Sequence, residues 1–206
     1  MSKSFIPYSS HSLSSDAIDR VISVLREGWI ARGPLCSEFE SIVAKSYGYA
    51  SVTACSSGSA ALEIVLRSLN LQPGDEVIVP SITWAATASS VLLCGGKAVF
   101  ADIDESTVCI TSDNIKKFIS TKTRAIIVVH FAGRPCDMDA IWAVAEEYDI
   151  KVIEDAAHAF GSLYLDGHYI SSSVRTYASI FSFHPAKNIT TGEGGMVVTA
   201  HSDLDR

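Results

Sequence analysis

No stretch of this chain is apolar for long enough to cross a bilayer. The best runs, Ala125–Val129 and Met196–Thr199, have the length of strands. The opening residues, Met1-Ser2-Lys3-Ser4-Phe5-Ile6-Pro7-Tyr8, contain no apolar signal core, so the chain reads as cytoplasmic. Positive charge is scarce. Lys and Arg number 16 against 23 Asp and Glu, a net charge of −7, which argues against nucleic acid or an anionic membrane as a partner. Close cysteine pairs are missing as well. Cys36, Cys55, Cys94, Cys109 and Cys136 form an odd, scattered set that suits a reducing compartment, with buried or incidental thiols. The six histidines show neither HxxxH nor HExxH spacing, so no zinc site is expected. Neither GxGxxG nor GxxxxGK[ST] occurs, which removes the main support for a dinucleotide fingerprint or a P-loop. There is no internal repeat, low-complexity tract or linker.

What remains is a globular composition. The chain has 206 residues, 48% hydrophobic and 19% charged, enough for a substantial core. Residues 14–27 predict an amphipathic helix, with Ile18, Val21, Ile22 and Leu25 at helical spacing and Ser14 or Ser15 as cap. Gly28 and then Gly33-Pro34 are expected to break it, and a second helix is expected from about Ser37 to Tyr47. From there the pattern alternates. Short strands are predicted at Val52–Ala54, Glu76–Val79, Ala98–Ala101, Ala125–Val129, Lys151–Ile153, Tyr177–Phe183 and Gly195–Val198. Helices are predicted between them at Ala60–Leu69, Ala85–Leu93, Asn114–Ile119 and Met138–Tyr148. Apolar strands separated by amphipathic helices indicate an α/β fold with a mainly parallel sheet covered on both faces. Ser202-Asp203-Leu204-Asp205-Arg206 reads as the opening turn of a further helix.

Four segments could carry chemistry, each at a predicted strand end. Ser56-Ser57-Gly58-Ser59-Ala60-Ala61-Leu62 opens a helix with small residues, whose free N–H groups can hold a phosphate; alone it would also suit an ordinary cap. Ser81-Ile82-Thr83-Trp84-Ala85-Ala86-Thr87 offers an indole face to a planar ligand, or simply a core tryptophan. Val152-Ile153-Glu154-Asp155-Ala156-Ala157-His158 places two acids at the carboxyl end of a buried strand, where ligands bind in open α/β sheets. The bland alternatives are a solvated strand end and a structural histidine. Phe181-Ser182-Phe183-His184-Pro185-Ala186-Lys187-Asn188, followed by Thr190-Thr191-Gly192-Glu193-Gly194-Gly195, puts a lysine between an apolar strand and a glycine-rich turn. Burial there would free its amine for Schiff-base chemistry, whereas a solvated lysine would stay protonated. Together the four supply what pyridoxal 5′-phosphate (PLP) requires: a lysine, a carboxylate for the ring nitrogen, a stacking aromatic and a phosphate cup.

The chain also resembles the N-terminal, large-domain part of the DegT/DnrJ/EryC1/StrS family of PLP-dependent sugar aminotransferases. The resemblance rests on Gly28–Pro34, Ser57–Leu62, Gly74–Ile78, Pro80–Trp84, His130-Phe131-Ala132-Gly133, Glu154–Gly161 and Ser182–Gly195. Within the family, Asp-Ala-Ala-His-Ala and Phe-Ser-Phe-His-Pro-Ala-Lys-Asn-Ile-Thr are most similar to the UDP-4-amino-4-deoxy-L-arabinose–oxoglutarate aminotransferases. The resemblance implies an aspartate aminotransferase-like (type I PLP) fold. It divides the chain into an N-terminal helix with a substrate-side loop (1–35) and a PLP-binding large domain (36–206), with a small C-terminal domain missing. It makes Lys187 the Schiff-base lysine and Asp155 the partner of the ring nitrogen. Trp84 would stack on the ring, Gly58, Ser59, Ala60 and Ser182 would bind the phosphate, and His158 would sit near the ring hydroxyl. The implied reaction moves an amino group from glutamate, giving 2-oxoglutarate, to a 4-keto nucleotide sugar such as a UDP-4-keto-pentose, for lipid A or surface-glycan modification. The complete enzyme would be a homodimer. Family members continue well past position 206, so a truncated form or a separate C-terminal fragment is expected, and the lone chain is not expected to turn over efficiently. A sugar dehydratase of the same fold carries His in place of the lysine, so Lys187 favours transamination. An inactive or regulatory remnant is the non-enzymatic alternative.

Overall fold

The computed structural model describes Pro7, residues 9–201 and Leu204. Seven strands are described: β1 Ser51–Cys55, β2 Glu76–Pro80, β3 Lys97–Ala101, β4 Thr123–Val129, β5 Lys151–Asp155, β6 Ala178–Ser182 and β7 Gly195–Thr199. The helices are α1 Ser15–Glu27, α2 Pro34–Tyr47, α3 Gly58–Ser68, α4 Ala85–Leu93, α5 Ser112–Lys116 and α6 Met138–Glu147, with a short 3-10 turn at Phe131–Gly133. The strands form one sheet in the order β1-β7-β6-β5-β4-β2-β3. Pairing is parallel from β6 through to β3, and β7 runs antiparallel to both β6 and β1. This is the mainly parallel α/β sheet expected.

The period-2 alternation of strand side chains sorts the core into two layers. Ala125 and Ile127 of β4 pack with Leu62, Val65 and Leu66 of α3 and Val91 of α4 on one face. Ile126 and Val128 pack with Val43 of α2, Ile115 of α5, and Ile141 and Trp142 of α6 on the other. Both faces are thereby covered, and the strands can be continuously apolar.

One expectation needs correction. Pro34 does not break the chain between helices; it opens α2, with Gly33 as N-cap. Proline suits the first helical position because its missing N–H has no partner there anyway. The apolar face of α1 is present, but no α1 residue is buried. Its Val21 and Leu25 are 60% and 62% exposed, because no described element packs on that face. The expected helical turn at Ser202–Arg206 lies outside the described residues except for Leu204. Among the described residues, no helix is long and apolar enough to cross a membrane.

Candidate active site

The strand directions bring four loops to one end of the sheet. Two antiparallel pairings in succession leave β1 running with β6, so Cys55 and Ser182 end their strands beside Gly195, the first residue of β7. Asp155 ends β5, and the segment after β2 leads into α4. A cavity of about 510 Å³ opens at this carboxyl end, lined by Gly58, Ser59, Trp84, Thr87, Asp155, Ser182 and Lys187 among others.

One wall is the N-terminus of α3. Ser57 caps it, its Oγ accepting the Ala60 N–H at 3.1 Å, and the Ala61 N–H bonds the Ser57 carbonyl at 3.0 Å. The N–H groups of Gly58 and Ser59 therefore face the cavity end with no intrahelical acceptor, at the positive end of the helix dipole. Two glycines make this approach possible. A Cβ on Gly58 would come within 2.9 Å of Ser182 Cβ, and a Cβ on Gly195 would overlap the carbonyl group of Ser57. The result is a small concave cup bounded by N–H groups and the Ser182 hydroxyl, the donor set that a phosphate requires.

The floor is Asp155, 5% exposed. Its Oδ2 accepts the Thr87 hydroxyl at 2.9 Å and its Oδ1 accepts the Ala157 N–H at 3.2 Å. Burial pushes its carboxyl above the usual range, and these two donors, with His158 and Lys187 nearby, pull against that. Lys187 is half-buried across the cavity. Desolvation lowers its amine from the ordinary lysine value, opposed by the attraction of Asp155. Its turn is fixed by hydrogen bonds: Lys187 N–H to the His184 carbonyl at 2.9 Å, the Thr190 hydroxyl to the Phe183 carbonyl at 2.8 Å, and the Asn188 amide to the Phe160 carbonyl at 2.8 Å. Trp84, at the N-cap of α4, is 78% exposed at the rim.

Six of the eight residues singled out from sequence thus line one cavity: Gly58, Ser59, Trp84, Asp155, Ser182 and Lys187. Ala60 is one residue deeper, with its N–H taken by Ser57. His158 lies beside the cavity, not in its lining. Its Nδ1 accepts the Ala132 N–H at 3.4 Å, and burial together with the Lys187 charge lowers its pKa. Thr87 was missed: a threonine inside a helix carries no signal of its own, although its spacing from Thr83 and Trp84 puts it on the same helix end.

The two acids of Glu154-Asp155 separate completely. Consecutive strand residues point to opposite faces, so Glu154 enters the other layer with no exposure. It accepts from His130 Nε2 at 2.7 Å, from the Tyr164 hydroxyl and from the Thr176 hydroxyl. His130 Nδ1 accepts the Cys136 N–H at 3.2 Å, which leaves the ring proton on Nε2 and makes this a hydrogen bond from a neutral imidazole. Trp142 Nε1 supports Thr176, and the Ser171 N–H supports Tyr164. Glu154 is therefore a structural acid and Asp155 the one that faces the cavity.

Residues 11–206 match the DegT/DnrJ/EryC1/StrS aminotransferase family. Solved structures agree. An aminotransferase from Psychrobacter cryohalolentis is 38% identical, with a TM-score of 0.89 over 96% of this chain and 51% of its own. Spr1654 of Streptococcus pneumoniae, in its PLP form, is 34% identical, with a TM-score of 0.90 over 97% and 54%. PseC of Helicobacter pylori, an aminotransferase involved in pseudoaminic acid biosynthesis, is 30% identical, with a TM-score of 0.90 over 97% and 53%. The chain spans about half the length of these relatives.

Proposed function

This chain belongs to the DegT/DnrJ/EryC1/StrS aminotransferase family, and on that premise we propose that it is the PLP-binding large domain of an enzyme that transfers an amino group from glutamate to a 4-keto nucleotide sugar. The family's cofactor is PLP, and solved relatives exist in PLP and pyridoxamine phosphate forms. One observation carries the reading. A single cavity holds a desolvated lysine, a buried aspartate fixed through both oxygens, and a helix N-terminus whose glycine admits no side chain.

Each residue has a part that its surroundings explain. The Gly58 and Ser59 N–H groups and the Ser182 hydroxyl would hold the phosphate. Asp155 would keep a proton on the ring nitrogen. Trp84, at the cavity rim, would offer its indole face to the ring. Bound there, PLP supplies the electron sink for the donor's α-carbanion and carries the amino group between the two substrates. Lys187 supplies the proton transfer. Burial lowers its pKa from the ordinary lysine value, which favours the neutral amine that would take a proton from the donor's α-carbon and return it to the cofactor's C4′ carbon. Such a lysine favours transamination over the dehydratase alternative.

The acceptor sugar follows from the resemblance in Asp155–Ala159 and Phe181–Thr190, which suggests a UDP-4-keto-pentose for lipid A or surface-glycan modification. The complete enzyme is proposed to be a homodimer. The test is to load the complete enzyme that contains this domain with PLP, add glutamate, and follow conversion to pyridoxamine phosphate. A 4-keto nucleotide sugar should then restore PLP. Lys187→Ala should abolish both conversions. Failure of glutamate to convert the cofactor, or full conversion by Lys187→Ala, would contradict the reading.

A further inference from the structure

Asp155 does not stand alone at the cavity floor. Thr87, with no exposure, places its Oγ1 2.9 Å from Asp155 Oδ2 and 2.8 Å from Thr83 Oγ1. A hydroxyl has one proton to donate. A carboxylate only accepts, so Thr87 spends its proton on Asp155. Thr83 must then be the donor to Thr87, and the chain of bonds has one direction: Thr83 to Thr87 to Asp155. A threonine inside a helix commonly turns its hydroxyl back to the carbonyl one turn earlier. Thr87 points away from its helix to the end of β5 instead. In a buried setting, each bond in such a chain polarises the next.

The location adds to the geometry. Thr83 directly precedes Trp84, so this relay ties the indole-bearing end of α4 to the acid on β5. The other oxygen of Asp155 is held by the Ala157 N–H at 3.2 Å. The titratable groups around Asp155 are His158 and Lys187, and neither supplies a bond that would replace the Thr87 hydroxyl.

We propose that Thr87 is a positioning residue, whose hydroxyl, polarised by Thr83, holds Asp155 as an oriented anion so that a pyridine nitrogen bound against it keeps its own proton. The inference rests on reading the cavity as a PLP site. Without Thr87 the negative charge concentrates on Asp155, which becomes the stronger base, and the shared proton moves from the ring nitrogen to the carboxyl. A hydrogen bond to a charged group makes this a shift of about ten-fold or more in the proton's distribution.

The measurement is the nitrogen NMR signal of PLP labelled at the ring nitrogen, bound to the protein and to three variants. The native protein should show a protonated ring nitrogen. Thr87→Val should move the signal toward the unprotonated position, Thr87→Ser should restore it, and Thr83→Val should give a smaller shift of the same sign. A merely structural role for Thr87 would change the amount of PLP bound without moving the signal. An unmoved signal in Thr87→Val overturns the proposal and leaves the PLP reading standing. Should Thr87→Val not fold, an unmoved signal in Thr83→Val overturns the relay on its own. A native protein that binds no PLP, or binds it with an unprotonated ring nitrogen, overturns the PLP reading and this proposal with it.

Discussion

Burial pushes Lys187 and Asp155 in opposite directions, and both shifts disfavour charge: the amine falls and the carboxyl rises. Without cofactor these groups act on stability over different pH windows. Lys187 has a folded-state pKa below its ordinary value of 10.5, so the unfolded chain binds more protons between the two values. Its share of stability is complete above 10.5 and is lost as pH falls through the lowered value. Asp155 is raised above 3.8, so its share is complete below 3.8 and is lost as pH rises through the raised value. Lys187→Met should therefore stabilise the cofactor-free protein near neutral pH, with the gain vanishing above pH 10.5. Urea unfolding at several pH values measures this, and a gain that does not depend on pH would show that packing, not charge, is responsible. Lys187 and Asp155 were legible in the sequence because each interrupts an apolar run at a strand end. Thr87 was not, because the partner that makes it matter is 68 positions away. The split between Glu154 and Asp155 follows from strand alternation once β5 is known to run through Asp155.

Among the elements, the strands and the helices from α3 onward matched their sequence patterns to within a few residues, since apolar periodicity and packing agree there. The start of α2 did not, because proline ends a helix in its interior yet suits its first turn. The segment joining β6 to β7 carries the largest local constraint. Gly195 begins β7 directly beneath Ser57, and a side chain there would displace the α3 N-terminus from the sheet. Gly195→Ala should cost about 1–3 kcal/mol by overpacking. It should also weaken PLP binding, since the N–H groups of Gly58 and Ser59 move with Ser57. Thermal unfolding and PLP titration check the two effects. Unchanged affinity in a folded Gly195→Ala would show that the cup is not set by this contact. The sequence marked Gly192-Glu193-Gly194-Gly195 as a turn, but the need for glycine at 195 comes from β1 and α3 across the sheet, which no local pattern encodes.

Across the whole molecule, the sheet order β1-β7-β6-β5-β4-β2-β3 gathers residues scattered from position 58 to position 187 at one carboxyl edge. The class of fold was readable from the alternation of strands and helices. The strand order was not, because it depends on which connections cross the sheet. The apolar residues of α1, Ile18, Val21, Ile22 and Leu25, are exposed, and none of them lines the cavity. What the assembled edge is for can be decided by one covalent experiment. The protein is incubated with PLP, reduced with borohydride, digested, and the pyridoxyl-bearing peptide is sequenced. The account predicts a single modified lysine, Lys187, and no modification in Lys187→Ala. A pyridoxyl group on any of the other lysines, or an unmodified protein after saturation with PLP, would contradict it.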